Sequence, residues 1–102
     1  MKVQLFAGLT YLGLVESKII DDSMGVAGGL LEPTAAYYND FQYFFQAHTE
    51  KPDWARLANL ELKEVSDAGE VLHCCGGICV VDVEKYDEIE VEFCGIGQGY
   101  NR

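Results

Sequence analysis

The chain has 102 residues, enough for one small domain (residues 1–102), and 49% of them are apolar, too many for a disordered segment and enough for a real core. Formal net charge is −10, spread unevenly: six acids and three bases in residues 1–51 (net −3), eleven acids and four bases in residues 52–102 (net −7). Such a surface repels phosphate backbones and anionic membranes, so nucleic acid and membrane are excluded as direct partners and a cationic partner is favoured.

The opening "MKVQLFAGLTYLGLV" has one Lys before an apolar stretch, but Gln4 and Thr10 interrupt it, Gly8 and Gly13 loosen it, and Glu16-Ser17-Lys18 stands where a small-residue cleavage site would be. It does not read as a signal peptide. No stretch reaches the roughly 18–20 apolar residues of a membrane span. The expected location is the cytoplasm.

Residues 12–20 and 24–32 both read as strands, with Asp21-Asp22-Ser23 as the turn between them. Gly25, Gly28 and Gly29 weaken the second strand and point to a bulge, or to a close approach by the helix backbone. Residues 34–48 hold one clear helix: Tyr37, Phe41, Phe44, Phe45 and His48 repeat on one face, and Thr34 after Pro33 is a good N-cap. Tyr38 and Tyr43 widen the apolar stripe, which leaves either a broad core-facing side or a partner surface. In residues 59–65, Leu60 and Leu62 lie opposite Glu61 and Lys63, and residues 66–70, "SDAGE", form a hairpin loop. Residues 76–83 are nearly continuously apolar, as expected of a central strand covered on both faces. After a turn over residues 84–88, the last strand alternates Ile89, Val91 and Phe93 with Glu90, Glu92 and Cys94. The glycine-rich end, up to Arg102, reads as a frayed tail. The expected fold is α+β, order ββ-α-βββ: an antiparallel or mixed sheet of about five strands with one amphipathic helix packed on it.

"VLHCCGGIC" (71–79) raises the question of metal or redox chemistry. On a strand, Cys74 and Cys75 face opposite ways, and Cys75 and Cys79 stand roughly 13 Å apart, too far to share a zinc ion without a sharp turn at Gly76-Gly77. A nucleophilic cysteine needs a base and a lowered pKa, whereas acidic surroundings raise it. The reading is therefore of free thiols serving as small buried hydrophobes, with an irregularity at the double glycine. No phosphate-binding loop, nucleophile elbow or HExxH motif is present, so no catalytic residue, metal ligand or cofactor is assigned.

Residues 19–42, followed by Trp54, by "LELKEVSDAGE" and by "GICVVDVEKYDEIEVEFCGIG", resemble short bacterial proteins of mobile elements, such as integron gene cassettes, some of them similar to immunity proteins. The points of similarity are Asp22, Met24, Gly25, Gly29, Pro33 and Tyr37, then Trp54, Gly69, Ile78, Asp82, Gly95 and Ile96. The resemblance implies a shared fold and carries over no catalytic residue.

The functional expectation is a small acidic interaction protein, immunity-like, antitoxin-like or an adaptor, binding a basic protein without catalysis. Its acids would be Glu61, Asp82, Glu84, Glu90 and Glu92. The alternative is a binding protein for a cationic or aromatic small molecule, in a pocket between helix and sheet lined by Tyr37, Tyr38, Phe41, Phe45 and Trp54. Twelve aromatic side chains in so short a chain also predict a homo-oligomer, a dimer through a sheet edge or the tyrosine-rich helix.

Overall fold

The computed structural model describes residues 1–96, and the expectation of a frayed tail lies outside them from Gly97 onward. Four strands lead: β1 (Lys2–Ala7), β2 (Thr10–Glu16), β3 (Lys18–Asp21) and β4 (Val26–Pro33). A wide π-type turn, Tyr37–Phe41, runs into helix α1 (Gln42–Glu50), and one short further helix, α2 (Trp54–Asn59), follows. Four strands close the order: β5 (Leu62–Ser66), β6 (Val71–Leu72), β7 (Cys74–Asp82) and β8 (Ile89–Ile96). Pairing is antiparallel throughout, in the order β6-β5-β1-β2-β4-β8-β7 with β3 on β4.

This overturns the expected five-strand α+β arrangement. Strand makes up 51% of the structure, eight strands curl into one antiparallel sheet, and four of them precede the helix. The extra strands come from places where alternation is short or broken. β1 and β2 form a hairpin over residues 2–16, with Val3, Leu5, Leu12 and Val15 all facing the core. The "SDAGE" loop does close a hairpin, with Ser66 N–H donating to the Glu70 carbonyl at 2.8 Å. Its second strand, β6, is only two residues long, after which the chain crosses to the far edge of the sheet.

The curl depends on glycine at 28 and 29. β4 pairs with β3 through Val26–Gly28 and with β2 through Leu31–Val15, so its neighbour changes at Gly29, where β2 and β3 are separated only by Ser17. A Cβ at Gly29 would collide with the Glu16 carbonyl oxygen, and one at Gly28 with that of Val91. The close approach read from the sequence is therefore real, but strand backbones make it, not the helix. Such corners let one strand serve two parts of a bent sheet.

Inside the curl lie Leu5, Leu12, Val15, Val91 and Phe93, all without solvent exposure, and each contributes roughly 1.5–3 kcal/mol by leaving water. The helix closes this core. Thr34 Oγ1 accepts from Tyr37 N–H at 3.3 Å, the cap expected of it, and donates to the Tyr11 carbonyl at 2.8 Å. Tyr37 and Phe45 stack with ring centroids 5.8 Å apart. At the far end His48 Nδ1 accepts Asp53 N–H at 2.8 Å, fixing the bend into α2.

β7 is an edge strand, not the central one expected. Thr49 of α1 accepts the Asp82 backbone N–H at 3.1 Å, so the helix covers part of that edge. Among the described residues no helix is long and apolar enough to cross a membrane.

Candidate functional site

The outer face of β4, β8 and β7 combines acids with apolar side chains that lack cover. Alternation sends Ile89, Val91 and Phe93 inward, so Glu90 and Glu92 point out. Register then fixes their neighbours. Glu90 stands between Leu30 on β4 and Val81 on β7, and Glu92 between Gly28 and Cys79. Leu30 is 47% exposed and Ile20, which reaches over Gly28, is 54% exposed. At the β7–β8 turn a cleft of about 570 Å³ is lined by Val81, Val83, Tyr86, Asp87, Glu88 and Glu90. A second hollow of about 210 Å³, over Gly28 and Leu30, shares Glu90 with it. Lys18 is the base lining that second hollow. Glu90 and Glu92 follow one another on the same face of β8 and neither has a charge directly across from it, so both are free to attract a bound cation.

Only part of the expected acidic set gathers here. Glu84 is exposed in the β7–β8 turn, but it lines a different hollow, with Tyr43, Gln46 and Glu50 of α1. Glu61 sits in the left-handed region (φ 54°) before β5, with β1, β2 and β4 between it and β8 in the sheet. Asp82 is not at the surface. It is fully buried, and its carboxylate accepts from Tyr37 Oη at 2.6 Å and from Gln42 and Gln46 at 3.3 Å each. Burial, and then the Asp82 carboxylate, push the Tyr37 hydroxyl far above its ordinary pKa, so it stays a donor. This network fastens the helix to β7.

The aromatic set does not line one pocket. Tyr37 and Phe45 are core, Phe41 is half-buried, and Tyr38 and Trp54 are exposed. Trp54 packs edge-on against His48, with centroids 4.9 Å apart.

All four cysteines are free. They are less buried than expected: Cys75 is exposed and Cys74, Cys79 and Cys94 are half-buried. The irregularity expected at Gly76-Gly77 is present as a register shift between Cys74 and Gly77. Burial, then Cys94 and Glu92, push the Cys79 thiol up, and burial, then Glu64, push Cys74 up, so both are poor nucleophiles. No group of three metal-ligating side chains occurs among the described residues.

Sequence reasoning missed Ile20, Leu30, Val81, Val83 and Tyr86. The signal for Val81 was its phase: Ile78 belongs with the core and Val81, three residues on, falls on the other side. Tyr86 and Val83 stand in an acidic turn that offers nothing to bury them.

Comparison of the chain with protein-family models, with curated proteins and with solved structures gave no match. Fold and surface together define a small, mostly β domain with a helix-covered edge and an acidic, partly apolar outer face.

Proposed function

We propose that the protein is a small acidic interaction module that binds a basic protein through the outer face of β4, β8 and β7, in the manner of an immunity protein or adaptor. The observation that carries this reading is the row Leu30–Glu90–Val81, in which a carboxylate lies between two exposed apolar side chains in register. A Lys or Arg side chain that reaches Glu90 from either side rests its hydrocarbon stem on Leu30 or on Val81 and its head on the carboxylate, and Tyr86 adds an aromatic anchor. A second copy of the chain is a poorer occupant of this face, because its own acids would meet like charge. Four free thiols suit a reducing compartment, which supports the cytoplasm.

The test uses a Lys-rich amphipathic peptide as the probe. Backbone resonances of Leu30, Val81 and Glu90 should shift on titration, and Glu90→Lys with Glu92→Lys should weaken binding several-fold while leaving the fold intact. The loss should shrink as salt is added. Equal binding by the double variant at low ionic strength would reduce this face to ordinary solvated surface. Self-association draws support from a different region, the outer side of the helices, where Tyr43 is 87% and Trp54 63% exposed. Light scattering that shows only the monomer mass at high micromolar concentration would remove it.

A further inference from the structure

At the seam where β5 and β6 meet β7, a carboxylate stands inside the curl without its partners. Glu64 lies opposite Leu5 of β1 and Leu72 of β6, at an inward position, and has no solvent exposure. One oxygen, Oε1, accepts from the Cys74 thiol at 3.2 Å. The other, Oε2, is buried and has no hydrogen-bond partner among the described residues. Buried polar atoms in folded proteins are nearly always paired, so an orphaned acceptor of this kind marks a place where a donor belongs. A cleft of about 300 Å³ opens beside it, with Glu64, Leu72, Cys74 and Ile78 in its wall and Val71, Lys63 and His73 at its rim. Among the described residues Lys63 makes no ion pair with Glu64.

We infer that this seam is a binding site for a small organic cation, an ammonium or amidinium group on a compact apolar body, with Glu64 as its counter-charge. The cation supplies what Oε2 lacks, both a donor and a compensating charge. Leu62, Leu72 and Ile78 supply the apolar surface against which the body rests. The volume is at the lower end of the roughly 300–1,000 Å³ of small-molecule sites, which limits the ligand to a single ring or a short branched chain. The site is separate from the outer face of β8 and does not depend on a partner protein binding there. Burial raises the Glu64 carboxyl to about 7, with the Cys74 hydrogen bond acting in the opposite direction. Its charge therefore becomes available across neutral pH, and the affinity for a cation rises with it.

The probe is benzylamine, with benzyl alcohol as its uncharged counterpart, titrated into the whole chain and followed by methyl resonances of Leu72 and Ile78. Benzylamine should bind at least tenfold more tightly than the alcohol, and Glu64→Gln should remove that preference. Val71→Trp, at an exposed edge position where the fold tolerates a large side chain, should block the cleft with Glu64 intact, so the proposal stays testable if Glu64→Gln does not fold. Between pH 6 and pH 8 the affinity of the native chain for benzylamine should rise several-fold. The ionisable groups around the cleft are Cys74 from β7, which meets Glu64 directly, His73 from the link before it and Lys63, the strand neighbour of Glu64; β1 and β6 set only Leu5 and Leu72 opposite Glu64. A pH dependence that survives in Glu64→Gln would overturn the assignment. Equal binding of amine and alcohol, or shifts confined to other parts of the molecule, would do the same.

Discussion

Asp82 and Glu64 are both carboxylates carried to the inside of the curl by strand alternation, and both are fully shielded from solvent. They differ in what meets them. Asp82 receives a tyrosine hydroxyl and two glutamine amides from the helix, while its backbone N–H goes to Thr49. Glu64 receives one thiol, a weak donor, and keeps an oxygen unpaired. The lesson is that burial alone does not define the role of an acid. With donors in place the charge becomes a fastener, and without them it becomes a reserve of unfavourable energy that a ligand or a proton can relieve.

The contrast can be broken most forcefully at Asp82. Asp82→Leu strands the Tyr37 hydroxyl and releases two amides, so unfolding free energy should fall by about 3–4 kcal/mol, read from the urea midpoint. An unchanged midpoint would mean that the network holds nothing together. Glu64→Leu should act in the opposite direction. Folding raises the Glu64 pKa from 4.5 to about 7, so the folded chain holds that proton more tightly than the unfolded one. The contribution of Glu64 to stability therefore falls as pH climbs from about 4.5 to about 7 and stays low above that. Replacing it with leucine removes a penalty on the order of 2–3 kcal/mol at pH 8 and little at pH 4. A variant that gains equally at both pH values would show that the titration of Glu64 is not the cause. The smallest effect is expected from Cys74→Ala, which removes the one donor Glu64 has. Its stability change should stay within about 1 kcal/mol, but the Glu64 carboxyl, followed by carbon NMR, should titrate at a higher pH than in the native chain. A midpoint that stays put would mean the thiol gives Glu64 no support.

Both positions were within reach of the strand pattern, yet neither was recognised. Leu60 and Leu62 mark the apolar side of their strand, and the same period of two brings Glu64 to that side. Ile78 and Val80 do the same for Asp82. Charge argues for the surface and phase for the core, and at both positions phase prevails. Where local pattern and structure agree, the signals are strong: the alternation of β8, the cap at Thr34, the face of Tyr37 and Phe45. The sheet order was not legible, because β1 meets β5 and β4 meets β8 across long stretches of chain and no local pattern records those pairings. The edge position of β7 was hidden for a related reason. Its unbroken apolar run suits a covered strand, and only the register, which leaves Val81 outside beside Glu90, shows that one face has no cover. The outer patch inherits that difficulty, since its residues come from three strands that the sequence does not place together.

The pairings of β4 also set the order of events when the chain is made. Val26 joins Cys94, and Val3 joins Ser66. A strand that is interior in the finished sheet therefore waits, during synthesis, until residues 90–94 appear. Until then Val26–Gly28 has β3 along one side, and the whole of Val26–Leu30 has bare backbone along the other. Such long-range pairing carries the entropy of closing large loops before any of it is returned, which places folding toward the millisecond-to-second end of the range for small domains. Over that interval the open backbone beside Leu30 can recruit a strand from a neighbouring nascent chain. Most of the negative charge arrives late, with six acids and three bases in residues 1–51 (net −3) against eleven and four in residues 52–102 (net −7), so repulsion between copies is weakest while that edge stands open.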